Sequence, residues 1–457
     1  MGFKSCKPSE KSRPSSLKSS KRREDKSSPE PTQIEHNIRA VLVEKQRTSC
    51  ARRIAMRIAV AASSHPNPEQ AASESYAALL EKLEGTPHLL LVHSSCDYDN
   101  EALINRLHAL APDVPLQGGT SCFGVATQAG FHSRDEKGLG ILGVFDPAGG
   151  YGTGIADSGD EPKTATKAAL EQALAQAGRA GEMPAAVITT VYPGDEEIMI
   201  RSIEQHLGRS VPIIGGTSAN NSMRGQWQQF ANGSVHRQAV SVATLFPSGG
   251  LGFAFHCGYE PTAHSGLVTR ATKRTLHEID GRPAAQVYNE WTGGLIATLL
   301  AKGGDLVPLA SFSPLGTPVG KVAGIPYFRL SYPVEALKDG GLQLFAEIAE
   351  GSEIVLMTGT ADSLATRAGR VATQAIEAAP FDASAVQGAL VFYCAGCMLS
   401  IQDRIPEIVS GLNGALDQAP FLCAFTLGEQ GCFIEGENRH GNLMIAVLAF
   451  GPRDEEQ

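Results

Sequence analysis

From Met56 onward, apolar positions recur with two alternating periods. Met56–Ala61 is a short apolar run predicted as a strand. From Pro66 to Leu83, apolar residues fall at Ala71, Tyr76, Leu79, Leu80 and Leu83, the spacing of one helix face. "HLLLVHSS" (His88–Ser95) then reads as a buried strand, and Asp97 and Asp99 offer N-caps to a helix over Glu101–Leu110. A strand beginning at Pro115 runs into Gly118-Gly119-Thr120-Ser121, expected to be a tight turn, and "LGILGVF" (Leu139–Phe145) is a further strand.

The pattern repeats. "VPLQGGTS" (Val114–Ser121) returns as "VPIIGGTS" (Val211–Ser218), 97 positions later. The second phrase follows a strand (Ala185–Val191) and a helix (Gly194–Leu207). Two strands joined by a turn at Asn232-Gly233 are expected after it, over Gly225–Phe246. A third, looser copy has a strand at Gly388–Cys394 and a helix over Leu399–Leu416, kinked or started by Pro406. It continues through "APFLCAFTLGEQG" (Ala419–Gly431), with Thr426-Leu427-Gly428 in place of the Gly-Gly-Thr-Ser phrase, to a closing strand at Asn442–Phe450. Between the copies lie a turn at Asp280-Gly281, a helix from Pro283, strands at Ile325–Val334 and Glu353–Gly359, and an amphipathic helix over Thr360–Ala379. The predicted fold is α/β: layered mixed sheets built from repeated strand–helix–strand–hairpin units in two halves, with a boundary near residues 250–280.

Composition narrows the class. The 457 residues are 42% hydrophobic and 19% charged, with no apolar run long enough to span a membrane. Residues 1–55 hold 14 Lys and Arg against 6 acids, and the remainder holds 25 against 42. The head is Ser- and Lys-rich and is expected to be disordered, or to be an over-extended start preceding a natural one at Met56. The acidic body does not suggest nucleic-acid binding. Nine cysteines scattered over a long chain point to a reduced, cytoplasmic setting.

Candidate chemistry is sparse. The glycine phrases, Gly118, Gly119, Thr120 and Gly215, Gly216, Thr217, suit either an anion-binding nest of amides or a sharp structural corner. They lack the Lys-Thr ending of a P-loop. Cys394 and Cys397 form a C-x-x-C between strand and helix, where a helix N-terminus lowers a thiol pKa, and with Cys423 and Cys432 they suit a thiol redox or metal-binding protein; buried, inert thiols, or a pure protein-interaction module, are the plain alternatives. Asp195-Glu196-Glu197 reads as an acidic first helical turn serving the macrodipole rather than acid–base work. No catalytic motif is present, and an enzyme is not expected.

The start "MRIAVAASSHP", the paired "PLQGGTS" and "PIIGGTSANN", "VTRATKRTLHEIDGRPAAQVY", "AEGSEIVLM" and "CAGC…FTLGEQG…NRHGNLMIAVLAF" together resemble the FIST sensory domain family. The resemblance covers nearly all of Met56–Phe450 and implies a FIST N-terminal domain over 56–250 and a C-terminal domain over 251–457. It implies a cytoplasmic signal-transduction module that binds a small ligand and acts on a separate partner, such as a histidine kinase or a cyclic-dinucleotide enzyme. Within the family, the "GEQG…HGNLM" wording is similar to stand-alone haem-binding, nitric-oxide-sensing members. That implies haem b with His440 as iron ligand. Glu429, Glu437 and Asn442 are polar neighbours that could anchor its other ring nitrogen and, with Gly428, are candidate ligand-site residues; His256, in an apolar context beside Cys257, is the second choice as iron ligand, and a satisfied core histidine is its plain alternative.

Overall fold

The computed structural model describes residues 55–453 apart from 209, 223–224, 323–324 and 434–435. Residues 1–54 of the predicted basic head lie outside the described residues. Among the described residues, no helix is long and apolar enough to cross a membrane.

Three copies of one unit are present, each strand–helix–strand–helix–strand, hairpin, strand. The first comprises β1 (Arg57–Ser63), α1 (Pro68–Leu83), β2 (Leu89–Ser95), α2 (Asn100–Leu110), β3 (Leu116–Ser121), the hairpin β4 (Val125–Thr127) and β5 (Gly130–His132), and β6 (Leu139–Phe145). The second comprises β7 (Gly150–Asp157), α3 (Pro162–Gln176), β8 (Ala186–Val191), α4 (Glu196–Leu207), β9 (Ile213–Thr217), the hairpin β10 (Gln229–Ala231) and β11 (Ser234–His236), and β12 (Ala239–Phe246). The repeat read from sequence thus lacked its opening strand and helix, and Gly225–Phe246 forms three strands rather than two.

The third unit opens with β13 (Gly250–Cys257) and is then interrupted by an inserted domain. The insert contains β14 (Glu260–Thr272), β15 (Thr275–Ile279), β16 (Arg282–Pro283), α5 (Ala284–Trp291), β17 (Gly304–Asp305) and β18 (Leu315–Val322). It continues with β19 (Ile325–Ser331), β20 (Pro333–Ala336), β21 (Leu342–Leu344) and β22 (Glu353–Thr358), all in one nine-stranded sheet. The unit resumes with α6 (Ala361–Glu377), β23 (Gly388–Cys394), α7 (Ala395–Ser400), α8 (Ile405–Ala415) and β24 (Phe421–Thr426). The hairpin β25 (Glu429–Cys432) and β26 (Asn438–Gly441) and the strand β27 (Met444–Gly451) complete it. The single helix predicted over Leu399–Leu416 is therefore two, and Pro406 stands in the first turn of α8, where its missing N–H costs nothing.

Local sequence explains the elements. Asn67 caps α1 by accepting from the Gln70 N–H, Asp99 caps α2 through Ala102, and Thr360 with Ser363 forms a capping box on α6. The central strands β2, β8 and β23 are buried along their whole length, as expected of a parallel strand covered on both faces.

In each unit the second and third strands pair in parallel and the closing strand pairs antiparallel to the second, giving the orders β1-β6-β2-β3, β7-β12-β8-β9 and β13-β27-β23-β24. Each sheet is completed by a hairpin from another unit. The second unit's β10–β11 joins β3, the third unit's β25–β26 joins β9, and the first unit's β4–β5 joins β24. The exchange closes on itself, so the three units form a cycle.

The registers align the copies. Gly118 pairs with Val92 and Phe230, Gly215 with Thr189 and Gln430, and Cys423 with Val391 and Ala126. The third copy therefore writes Cys423-Ala424-Phe425-Thr426 where the others write Gly-Gly-Thr-Ser, not Thr426-Leu427-Gly428 as the spacing suggested. These phrases are also strand rather than turn. A Cβ on Gly118 would lie 1.7 Å from the Val92 carbonyl oxygen, and one on Gly216 would lie 2.4 Å from Thr426 Cγ2. The glycines permit close approach between strands and between units.

Candidate functional site

Glu196 and Glu197 begin α4, at the corner where β8 turns into the helix. Both are buried, with residue exposures of 3% and 9%. Three separate parts of the chain converge on them. From the insert, Arg274 sits between β14 and β15, and its Nη2 approaches a carboxylate oxygen of Glu196 and one of Glu197. From β26, His440 places Nδ1 3.1 Å from Oε1 of Glu197 and Nε2 3.9 Å from Oε1 of Glu196. From β9, the Thr217 hydroxyl donates to Glu196 Oε1 at 3.0 Å. The Gly194 and Glu347 backbone N–H groups donate to Glu196 and Glu197 respectively.

Burial alone would raise both carboxyls, but His440 and Arg274 overcome it and hold each below its ordinary value. Burial likewise acts to lower Arg274, and the two glutamates reverse it. The corner thus holds two ionised carboxylates and a guanidinium locked together, an arrangement in which removing one partner strands the others. Glu196 and Glu197 do form an acidic first helical turn, and their side chains also point inward to Arg274 and His440.

A cleft of ≈ 390 Å³ adjoins this cluster. Gly194 and Asp195 line it from the second unit, and Lys273, Arg274, Gln343 and Glu347 line it from the insert. Arg274 faces both the cleft and the buried carboxylates.

The predicted residues divide. Thr217, Gly428 and His440 meet at this corner. The Gly428 carbonyl accepts from the Thr217 N–H, and a Cβ on Gly428 would lie 2.4 Å from His440 Nε2. Asn442 lies two residues further on, where its side chain accepts from the Tyr332 N–H and its own N–H donates to the Leu330 carbonyl, fastening the third unit to the insert. Gly215 and Gly216 pair with Gln430 and Glu429 along β25. Gly118, Gly119 and Thr120 sit in β3, where Thr120 binds the Gln228 backbone, on the contact between the first and second units. His256 is in β13, its ring edge-on to Tyr327 with centroids 4.8 Å apart.

Cys394 and Cys397 lie at the equivalent corner of the third unit, both buried. Cys394 ends β23 and Cys397 is in α7, a helix of only six residues. Beside them is Arg367 of α6, a wholly buried arginine whose Nη1 donates to the Leu443 carbonyl at 2.8 Å. Its guanidinium lies 4.6 Å from the centroid of the Tyr393 ring and 5.8 Å from that of Tyr259. Glu429 is also fully buried, accepting from the Thr426 hydroxyl and the Met444 N–H, and burial pushes its carboxyl well above the usual range.

Glu196, Glu197 and His440 bring ligand-type atoms within 4.8 Å of one another. That donor set suits a divalent metal, but Arg274 already supplies the cation between the carboxylates. Haem does not fit His440 as it is packed. The ring is 1% exposed, one nitrogen is bonded to Glu197, and Gly428 and Glu196 crowd the other, where a porphyrin plane would need clearance.

Sequence reasoning did not find Arg274, Arg367 or Tyr259. Nothing in their local wording separates them from surface or core residues, and each gains its role from a contact distant in sequence.

A profile of the FIST N domain matches residues 88–282 and one of the FIST C domain matches residues 284–432. The uncharacterized protein MJ1623 of Methanocaldococcus jannaschii is 34% identical over 86 residues, which are 18% of this chain and 17% of that protein's length. Cyanuric acid hydrolase from A. caulinodans is similar over 88% of this chain and all of its own, at 10% identity and a TM-score of 0.32. T. maritima PurL complexed with AMPPCP is similar over 94% of this chain and 81% of its own, at 10% identity and a TM-score of 0.21. Likenesses that slight have no bearing on activity. The two consecutive domain matches show that the chain belongs to the FIST family, whose domains are sensory ligand-binding domains of signal transduction.

Proposed function

We propose that this protein is a non-enzymatic sensor that takes a small zwitterionic ligand in the cleft between the start of α4 and the β14–β15 turn. The observation that supports it is the double position of Arg274, which lines the cleft and also bridges the buried Glu196 and Glu197. Lys273 and Arg274 offer cations to a ligand carboxylate, and Asp195 and Glu347 offer anions to an amine. A carboxylate arriving at Arg274 competes with Glu196 and Glu197 for the same donors. Because Arg274 belongs to the insert and the glutamates to the second unit, that competition shifts how the two hold together, which is the differential contact a sensor requires. The altered surface is then read by a separate protein, for which a histidine kinase or a cyclic-dinucleotide enzyme is the reading carried from the family.

The test is calorimetric titration of the full chain with a panel of free amino acids and their decarboxylated and deaminated analogues. At least one intact zwitterion binds, both truncated analogues bind at least tenfold more weakly, and Lys273→Ala and Asp195→Asn weaken binding. A panel without a binder, or a binder indifferent to both substitutions, overturns the reading.

A haem-binding, nitric-oxide-sensing role is the competing proposal. It rests on the family resemblance, and the packing around His440 weighs against it.

A further inference from the structure

A buried guanidinium needs an anion, because arginine stays protonated in proteins and an uncompensated buried charge is among the costliest features a fold can carry. Arg274 meets this need with two carboxylates. Arg367, at the third unit's corner, does not. Among the described residues, its Nη1 has a backbone carbonyl, while Nε and Nη2 have no hydrogen-bond acceptor. The nearby acid with a carboxyl, Glu429, is held protonated by burial. The remaining acidic groups are the thiols of Cys397 and Cys394, and the register makes Cys397 the counterpart of Asp195 at the second corner.

We infer that Cys397 is a thiolate paired with Arg367 and is a site of oxidation by hydrogen peroxide, with Cys394 as the resolving thiol. Independent of the ligand cleft, this assigns the third corner a chemistry of its own. The Arg367 charge favours the anion at Cys397. The Tyr259 hydroxyl, which donates to the Ser311 carbonyl, lies 3.4 Å from the Cys397 sulfur and encloses it. Burial opposes ionisation, but the hydrogen bond from Cys394 and the Arg367 charge together bring the Cys397 thiol down to about 6. Burial and the neighbouring Cys397 push Cys394 well above its ordinary value, so it stays a thiol. The other groups facing the pair, Tyr393, Tyr332 and Cys257, are all raised by burial and remain neutral. A six-residue helix is too short to be the cause, so the expectation that a helix N-terminus activates the pair gives way to Arg367.

The chemistry balances. The Cys397 thiolate attacks one peroxide oxygen; the O–O bond breaks, a sulfenic acid forms, and the departing hydroxide takes a proton to become water. The Cys394 thiol then attacks the sulfenic sulfur; the S–S bond forms, the S–O bond breaks, and a second water leaves with the Cys394 proton. The two sulfurs lose two electrons and the peroxide gains them. The site is closed to solvent, which selects a small neutral oxidant over glutathione disulfide. Oxidation removes the anion from Arg367, whose Nη1 holds the Leu443 carbonyl next to Asn442, the residue that fastens the third unit to the insert.

The test uses the reduced full chain treated with hydrogen peroxide, followed by peptide mapping without reductant. A Cys394–Cys397 disulfide forms while Cys423 and Cys122 stay open to labelling after unfolding. In Arg367→Met the reaction slows about tenfold, as the thiolate fraction at neutral pH falls toward that of an ordinary cysteine. Because that variant leaves a hole in the core, the far-ultraviolet thiolate absorbance of wild type is compared with that of Cys397→Ser. A thiolate signal at neutral pH present only in wild type supports the assignment. Equal absorbance in the two proteins, or oxidation of Cys394 and Cys397 no faster than of Cys423, overturns it.

Discussion

Nδ1 of His440 lies 3.1 Å from Oε1 of Glu197 across 243 positions of chain. The contact joins the third unit's hairpin to the second unit's helix, and Arg274 locks the same carboxylate to the insert. Breaking one member of such a buried set costs about 3–5 kcal/mol. Glu197→Ala is therefore expected to lower the unfolding free energy by that order, and Glu197→Gln by less because it keeps a hydrogen-bond acceptor. A urea titration showing both variants within error of wild type would remove Glu197 from this role.

The same corner makes a prediction about metals. Arg274 stands between the carboxylates, so adding zinc or manganese should leave the melting temperature of wild type unchanged. Arg274→Ala removes the guanidinium and leaves two carboxylates and an imidazole within ligand reach. That variant should be less stable than wild type and regain stability on adding either metal. Stabilisation of wild type by metal would mean that Arg274 is not the resident cation.

Gly428→Ala places a methyl 2.4 Å from His440 Nε2, and the ring must move off Glu197 to admit it. Overpacking of this kind costs about 1–3 kcal/mol. Gly118→Ala sets its methyl against a backbone carbonyl at 1.7 Å, which cannot yield as a side chain can, so it should be the more damaging of the two. Thermal melts of the pair give the order directly.

Burial pushes His93 down to about 4 from 6.5, partly offset by its bond to the Gly119 carbonyl. A depressed imidazole means that the unfolded chain takes up a proton the folded chain refuses. Stability from this group is complete above pH 6.5 and is lost as pH falls toward 4, by about 3 kcal/mol in all. Phe392 occupies the matching register position in the third unit, so His93→Phe is the natural variant. It should flatten the fall in stability across that window while leaving the steeper loss at lower pH, where Glu196 and Glu197 protonate. An unchanged slope would assign the acid sensitivity to other histidines.

Protein expressed with added haem should show no Soret band that depends on His440, since both ring nitrogens are enclosed. A band lost in His440→Ala would return the haem reading to first place.

The repeat was legible in the wording of Val114–Ser121 and Val211–Ser218, because both copies need glycine where a strand passes close to its neighbour. The third copy was legible in outline and misplaced by several residues. Cys423 and Ala424 fill those positions without spelling them alike, and only the pairing with Val391 and Ala126 fixes the register. His440, Thr217 and Gly428 were picked out as site residues, although as an iron ligand and parts of glycine turns. Glu196 and Glu197 were read as a helix start, because an acidic first turn has an adequate local explanation and nothing nearby signals that both side chains turn inward.

What the sequence determined by itself was local: which segments are strands and helices, where caps and prolines start them, and that one unit recurs. Those depend on residues a few positions apart, whose periodicity and turn chemistry are written in order. What only the tertiary structure decided was which distant charges meet. The hairpin exchange carries His440 to the second unit, the insert delivers Arg274 to the same corner, and α6 places Arg367 over the Tyr393 ring next to Cys394. A buried ion finds its counter-ion wherever the fold brings one, and that pairing across hundreds of residues leaves no mark in the local pattern.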